Sequence, residues 1–337
     1  MWVVKNKPYM PLNLEHKGEE AVYASTFSGD EGDAIAEATG KTGAFKKSGT
    51  NNGDVKNSAD SVDRVRQLFS KGSDKLPIVE TVTYSSRVNW LKGRPAWLAD
   101  YASHFNTSRH FIARSLNNKL DYVNQKVSIG DRFNVFKKNI SIEFHLLINL
   151  STAKMQFSYI DLDSKEETLL KTYPVGLGRI DPNSPSGCLT PVGKFKLGSK
   201  VAIYTPGVTG FYQNRKIEMI DVFGTRWLPF DEALEGCSDY AKGYGIHGVP
   251  CHFDPSTGVL REEKELIGDY NSDGCIHMTK DHIEELFAIV ISKPTTVEII
   301  RGTTEYVPSF WILAWLRSLI RRLCGSSCAS FGQVLVT

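Results

Sequence analysis

Residues 243–278, GYGIHGVPCHFDPSTGVLREEKELIGDYNSDGCIHM, constrain this chain more than any other stretch. A histidine stands between small residues, His247 in GIHG, and the stretch closes on a cysteine behind a glycine, Cys275 in SDGCIH. A cysteine and a histidine are the minimum for thiolate chemistry. The imidazole takes the thiol proton, or as imidazolium stabilises the thiolate and lowers its pKa. Cys275 therefore reads as a nucleophile and His247 as its acid and base. Gly274 lets a substrate approach the backbone closely, and the N–H groups of Gly274 and Cys275 are candidates for holding an oxyanion.

The remaining residues that bear chemistry read more plainly. Cys188, Cys237 and Cys251 read as small buried hydrophobes, or as a disulfide between two of them. His247, Cys251, His252, Cys275, His277 and His282 are all metal-ligand types. Their spacings match no paired Cys-x-x-Cys or His-x-x-x-His arrangement, so no metal is expected. REEKEL, between Gly258 and Gly268, reads as a solvated helical face. A formal net charge of +2 gives no argument for a nucleic-acid partner. Six cysteines in 337 residues are too few for a disulfide scaffold.

The chain divides by composition. Residues 1–75, with STFSGDEGD and KKSGTNNGDVKNSAD, are poor in large apolar residues and read as a flexible or weakly structured segment. A short helical turn near 61–69 would place Val62, Val65, Leu68 and Phe69 on one face. Residues 79–137 read as a small α+β unit ordered strand, helix, helix, strand, with Ser108 capping the second helix. Residues 140–303 are strand-rich: ISIEFHLLINL, KMQFSYIDL and ETLLKTYPVGLG follow one another with turns between. After Cys275, Thr279 caps a helix whose apolar stripe is Ile283, Leu286, Phe287 and Val290, and a strand over 296–300 follows Pro294. That helix start lies close enough to Cys275 to favour a thiolate. Residues 306–323 read as an amphipathic helix ahead of a tail, 324–337. The apolar residues of 310–323 fit either a membrane surface or the catalytic domain itself. No apolar run reaches the roughly 20 residues of a membrane-spanning helix. The first twenty residues do not read as a secretory leader, which leaves a cytoplasmic protein or an upstream targeting segment.

Several ordered blocks carry a family resemblance. TYPVGLG (residues 172–178), TPVGKF (190–195), GTRW (224–227), GIHG (245–248) and SDGCIH (272–277) stand in the order found in L,D-transpeptidases, the YkuD-type catalytic domain of bacterial cell-wall enzymes. Asp273 stands where that motif has histidine, and His277 where it has Asn or Arg. Residues 79–137 resemble a LysM module. The matching positions are Leu98, Tyr101, Ala102 and Phe105, then Ile112, Leu116, Asn117 and Asn118, then IGDRFNV (129–135); KGRPAW (92–97) replaces the opening turn.

The resemblance implies a mainly β, β-sandwich-like catalytic domain and a small glycan-binding unit. It implies Cys275 as nucleophile, His247 as acid and base, and Ser272, Asp273 and Gly274 as orienting or oxyanion residues. The backbone carbonyl at position 273 would orient the histidine ring. The implied reaction joins third-position diamino acids of peptidoglycan stem peptides through a thioacyl-enzyme, with release of D-alanine and no cofactor. An L,D-carboxypeptidase and a non-catalytic wall-binding protein are the alternatives. The implied location is the periplasm or cell envelope, with stem peptides and glycan as partners.

Overall fold

The computed structural model describes residues 62–119 and 126–302. The stretch 306–323, the tail after it and residues 1–61 lie outside the described residues. Where the description begins, the chain is already packed. Val65–Phe69 forms helix α1, with Val65, Leu68 and Phe69 buried in the main core. The Arg64 N–H donates to the Leu170 carbonyl at 2.7 Å. The end of the segment expected to be weakly structured is thus held by the three apolar residues that share a face.

The small unit follows in the expected order: β1 (Val79–Thr83), α2 (Leu98–His104), α3 (Arg109–Ser115) and β2 (Arg132–Phe136). β1 and β2 pair antiparallel, from Val79 opposite Phe136 to Thr83 opposite Arg132. Ser108 caps α3 by accepting from the Phe111 N–H at 3.0 Å. The α2 start is closed by Asp100, which accepts from the Trp97 N–H and from Arg94. Tyr101 is buried among Tyr84, Trp90 and Phe133. The last strand is shorter than VSIGDRFNVF suggests. Gly130 at φ +93° and the Asp131 carboxylate, which accepts from the Ser128 N–H, fold residues 128–131 into a turn.

The strand-rich region opens with a meander: β3 (Ile142–Asn149), β4 (Lys154–Asp161) and β5 (Glu167–Pro174). Next come β6 (Leu177–Gly178), β7 (Gly193–Leu197), β8 (Ala202–Ile203) and a hairpin of β9 (Thr209–Tyr212) and β10 (Arg215–Glu218). After α4 (Ile220–Phe223) come β11 (Arg226–Glu235), β12 (Gly245–Gly248), and a hairpin of β13 (Cys251–Asp254) and β14 (Val259–Glu262). The chain then forms β15 (Tyr270–Ser272), β16 (Ile276–Met278), α5 (Lys280–Val290) and β17 (Thr295–Ile300).

Instead of two facing sheets, one hydrogen-bonded path runs β16-β12-β11-β7-β17-β3-β4-β5, with β8 also on β11. The sheet curls at β11. Its first residues pair with β8 and β12, its later ones with β7, and the β7 register slips at two points, as bulges require. β17 lies parallel to β3 and antiparallel to β7, which closes the order. The stretch expected as a helical REEKEL face is instead the end of β14 and a 3-10 turn at Lys264–Leu266.

Helix α5 covers the concave core. Thr279 caps it, accepting from the His282 N–H at 3.4 Å, and all four residues of its predicted stripe are buried. Its outer side receives α3. The Ser108 hydroxyl donates to the Ala288 carbonyl at 3.0 Å, Ala113 meets Ala288, and His110 stands edge-on to Phe287. Arg114, 2% exposed, reaches Glu285 at 3.4 Å. Glu285 also accepts from Lys171 at 2.7 Å and from the Tyr173 hydroxyl at 2.8 Å. A half-buried carboxylate shared by three donors is tolerated where an unpaired one is not. The small unit is therefore packed against the sheet region through a buried seam.

Candidate active site

The first requirement for Cys275 and His247 is that distant segments meet. β12 and β16 are neighbours and parallel, with His247 opposite His277 and Ile246 opposite Ile276. Cys275 directly precedes β16, and its thiol meets the chain at the head of β12, with Sγ 3.7 Å from the Gly243 carbonyl and the Gly245 N–H beside it.

The GIHG segment is sealed on all sides. A Cβ at Gly245 would meet the Leu228 carbonyl at 2.6 Å, and one at Gly248 would meet Gly224 at 3.2 Å. His247 is 3% exposed and walled by rings. His277 stands edge-on at 4.7 Å, Phe223 at 5.2 Å and Trp227 at 5.6 Å between centroids. GTRW supplies that wall: Gly224, at φ +60°, ends α4 and turns the chain so that Trp227 faces His247. Nδ1 of His247 lies 2.8 Å from the Gly248 carbonyl. A Nδ1–H donor there leaves Nε2 as the acceptor a thiol needs. The carbonyl that Nδ1 meets is thus that of Gly248, its own neighbour, in place of the position-273 carbonyl that the resemblance implies.

The nucleophile's turn is held by Ser272. Its hydroxyl donates to the Cys275 carbonyl at 2.6 Å and accepts from the Gly274 N–H at 3.1 Å. That second bond engages one of the two N–H groups expected to hold an oxyanion, and leaves the Cys275 N–H as the candidate donor. Gly274 sits at φ +118°, and a Cβ there would meet the Tyr244 ring at 2.5 Å. Only glycine fits that conformation and that contact. The blocks TYPVGLG and TPVGKF buttress the turn from behind. β6 pairs parallel with β15, Gly176 exchanges hydrogen bonds with His277, and the Thr190 hydroxyl accepts from the Gly178 N–H at 2.8 Å.

The electrostatics define a neutral pair. Burial, then the neighbouring His277, hold the His247 imidazole well below its usual range, against the pull of the Gly248 and Phe223 carbonyls. Burial also brings His277 down to about 4. Burial pushes the Cys275 thiol up to about 12; the Gly245 N–H eases this and the Asp273 carboxylate adds to it. β16 stands between Cys275 and the start of α5 along the chain, and burial dominates the shift of the thiol. Both shifts favour a neutral thiol and a neutral imidazole over a thiolate–imidazolium pair.

Asp273 pairs with Arg179, Nη2 to Oδ1 at 2.6 Å. Arg179, Tyr244, Phe223 and Trp227 were not singled out as site residues by sequence reasoning; the signal available for Trp227 was its place in an ordered block. Cys188 and Cys251 are buried and Cys237 is partly exposed. All three are free thiols, which removes the disulfide reading. Among the described residues no group of three or more His, Cys, Asp or Glu side chains is arranged to hold a metal ion.

Residues 143–299 match the family model described as YkuD, L,D-transpeptidase catalytic domain. The chain is 27% identical over 154 residues to a Bacillus subtilis (strain 168) protein named "Putative L,D-transpeptidase YqjB", covering 43% of this chain and 65% of that protein. The match therefore spans just under two thirds of the relative's length. Among solved structures, the helical cell shape determining protein Pgp2 from Campylobacter jejuni aligns with a TM-score of 0.33 and 17% identity, over 54% of this chain and 60% of that one. Bd1075 from Bdellovibrio bacteriovorus aligns with a TM-score of 0.32 and 15% identity, over 53% and 57%. The sheet region at residues 143–299 is thus the part of the chain that is similar to the YkuD-type L,D-transpeptidase catalytic domain.

Proposed function

We propose that this chain is a peptidoglycan L,D-transpeptidase that cross-links third-position diamino acids of stem peptides. The observation that supports this reading is the parallel register of β12 and β16, which pairs His247 with His277, two residues after Cys275, together with the burial that keeps His247 neutral. His247 takes the thiol proton as Cys275 Sγ attacks the carbonyl of the donor's third residue. The carbon–nitrogen bond to D-alanine breaks, and the proton passes from His247 to the departing amine. A side-chain amine of a second stem attacks the thioester, His247 takes its proton, and the carbon–sulfur bond breaks. The proton returns to sulfur, so the enzyme ends as it began. In this reading the Cys275 N–H stabilises the oxyanion of both steps. The thioester conserves the energy of the cleaved amide, so the chemistry calls for no cofactor.

The test is intact-mass spectrometry of the protein with disaccharide-tetrapeptide. Cys275→Ala is expected to abolish the acyl adduct, while Cys188→Ala, Cys237→Ala and Cys251→Ala keep it. An adduct on the Cys275→Ala protein would remove the assignment. Dimeric muropeptides are the expected product; shortened monomers alone would make the protein a carboxypeptidase.

The small unit is proposed as a glycan-binding module that holds the catalytic domain on its polymer, raising the local concentration of stems. Its strand-helix-helix-strand order and a polar cleft lined by Leu116, Asn117, Lys126, Asp131 and Arg132 support this. Because α3 is buried against α5, the test uses surface charge reversal, not truncation. Lys126→Glu with Arg132→Glu is expected to weaken pelleting with purified sacculi, and equal pelleting would count against the module. The proposed place of action is the cell envelope, where the substrate lies.

A further inference from the structure

The rim of the Cys275 site carries an ion pair that the transfer reaction leaves without a task. Arg179 and Asp273 meet at 2.6 Å with side chains 61% and 55% exposed. A pair this open contributes little to stability. Its backbone, by contrast, is firmly placed. The Arg179 N–H donates to the Ser272 carbonyl at 2.9 Å, and its own carbonyl accepts from the Leu189 N–H at 2.8 Å. Gly178, immediately before it, is packed so closely that a Cβ would lie 3.0 Å from the Gly274 Cα. Two opposite charges are thus presented to solvent on a rigid base, two residues from the nucleophile.

The surroundings confine what can reach them. The Tyr244 ring covers Gly274, and its hydroxyl donates to Asp239 at 2.6 Å. Tyr212, on the β9–β10 hairpin, packs edge-on against Phe223, itself part of the wall around His247. A guanidinium has five N–H donors and a carboxylate two oxygens, so one shared hydrogen bond leaves each group able to bind a further charge.

We propose that Arg179 and Asp273 form a subsite for a zwitterionic amino-acid centre, one carbon bearing both an ammonium and a carboxylate, on the substrate beside the cleaved bond. The carboxylate takes the remaining edge of the Arg179 guanidinium and the ammonium takes Asp273, closing an alternating ring of four charges. This rests on the proposed function for its place in the reaction: the diamino acid of the stem extends such a centre at the end of its side chain when it is a diamino dicarboxylic acid. A lysine in that position offers the ammonium alone. An amidated diamino acid offers the ammonium beside a neutral amide.

Binding is measured on the full chain carrying Cys275→Ala, by calorimetry, so that the result does not depend on turnover. The probes are tetrapeptide stems with 2,6-diaminopimelic acid, its side-chain-amidated form, or lysine at the third position. The free acid is expected to bind at least tenfold more tightly than either of the others. Adding Arg179→Gln should erase that difference, and adding Arg179→Lys should restore part of it. Adding Asp273→Asn should weaken all three stems and leave a stem acetylated on the side-chain amine unchanged. Equal binding of the free and amidated stems, a tenfold preference that survives Arg179→Gln, or no binding of any stem would overturn the subsite. Turnover by the unsubstituted protein separates the two claims. Cross-linked dimers formed equally from all three stems keep the function and overturn the subsite. Selective binding without any cross-linking keeps the subsite and overturns the function.

Discussion

His145 and His247 lie on the same curled sheet, each with little exposure, and their imidazoles are driven in opposite directions. His145, on β3, sits between two carboxylates, Nδ1 at 3.0 Å from Glu167 and Nε2 at 3.2 Å from Glu298. Burial pulls it down, but the two carboxylates together outweigh burial and raise it to about 9. His247, on β12, meets Phe223, Trp227 and His277, and burial acts there with a repelling neighbour. The difference lies in what the flanking strands deliver: β5 and β17 bring acids to His145, whereas α4, β11 and β16 bring rings to His247. An imidazole held charged serves as a structural clamp. One held neutral keeps a lone pair ready for a proton, which a general base requires.

The largest test of that contrast is its separation by function. His247→Gln is expected to lower the acylation rate of Cys275 by about 10³-fold, within the range of general-base contributions. His145→Gln should leave that rate unchanged; a comparable loss there would break the comparison. Rapid-quench mass spectrometry on both variants measures it.

The next effect concerns the charge state of the nucleophile. With the thiol pushed up to about 12, alkylation of Cys275 by iodoacetamide should rise about tenfold per pH unit from 7 to 10 without a plateau. A plateau near neutrality would mean a standing ion pair, and His247 would then resemble His145.

A smaller effect is expected in stability. The folded His145 is raised above its unfolded value, so its contribution is full below about pH 6.5 and is lost as pH climbs through about 9. His145→Gln should cost on the order of 2 kcal/mol at pH 6 and almost nothing near pH 10. Denaturant titrations at the two pH values read it, and a penalty that does not change with pH would refute the clamp. The smallest effect belongs to His277. His277→Gln removes a group that helps depress His247, so the acid limb of the acylation profile should move up by less than about one pH unit. A drop approaching that of His247→Gln would make His277 a second base.

Local signals were read correctly where they act over a few residues. Ser108 and Thr279 cap helices because a hydroxyl ahead of an apolar stripe has a free N–H within reach. Alternation in 142–149, 154–161 and 167–174 yields three paired strands. The strand-type run TYPVGLG splits, because Pro174 has no N–H to donate and Val175 and Gly176 leave the β5 ladder, Gly176 to bond with His277. The LREEKEL stretch misled, since charged residues at close spacing suit a hairpin edge as well as a helix face. Cys251 and Cys188 looked alike whether paired or free, and only distance in three dimensions separates those states.

By itself the sequence determined the element order of the small unit, the opening meander, the caps, the apolar faces and the two residues set beside glycine, Cys275 and His247. Each follows from steric freedom or periodicity within one short segment. The tertiary structure alone decided that β12 and β16 are parallel neighbours, that Gly248 holds the His247 ring, and that Arg179 meets Asp273 from 94 residues away. It also decided that Arg114 is buried against Glu285 across the seam between α3 and α5. These are pairings between segments far apart in the chain. Their geometry is set by the register of a curled sheet and by the exclusion of water from its core, and neither is a property of any one segment.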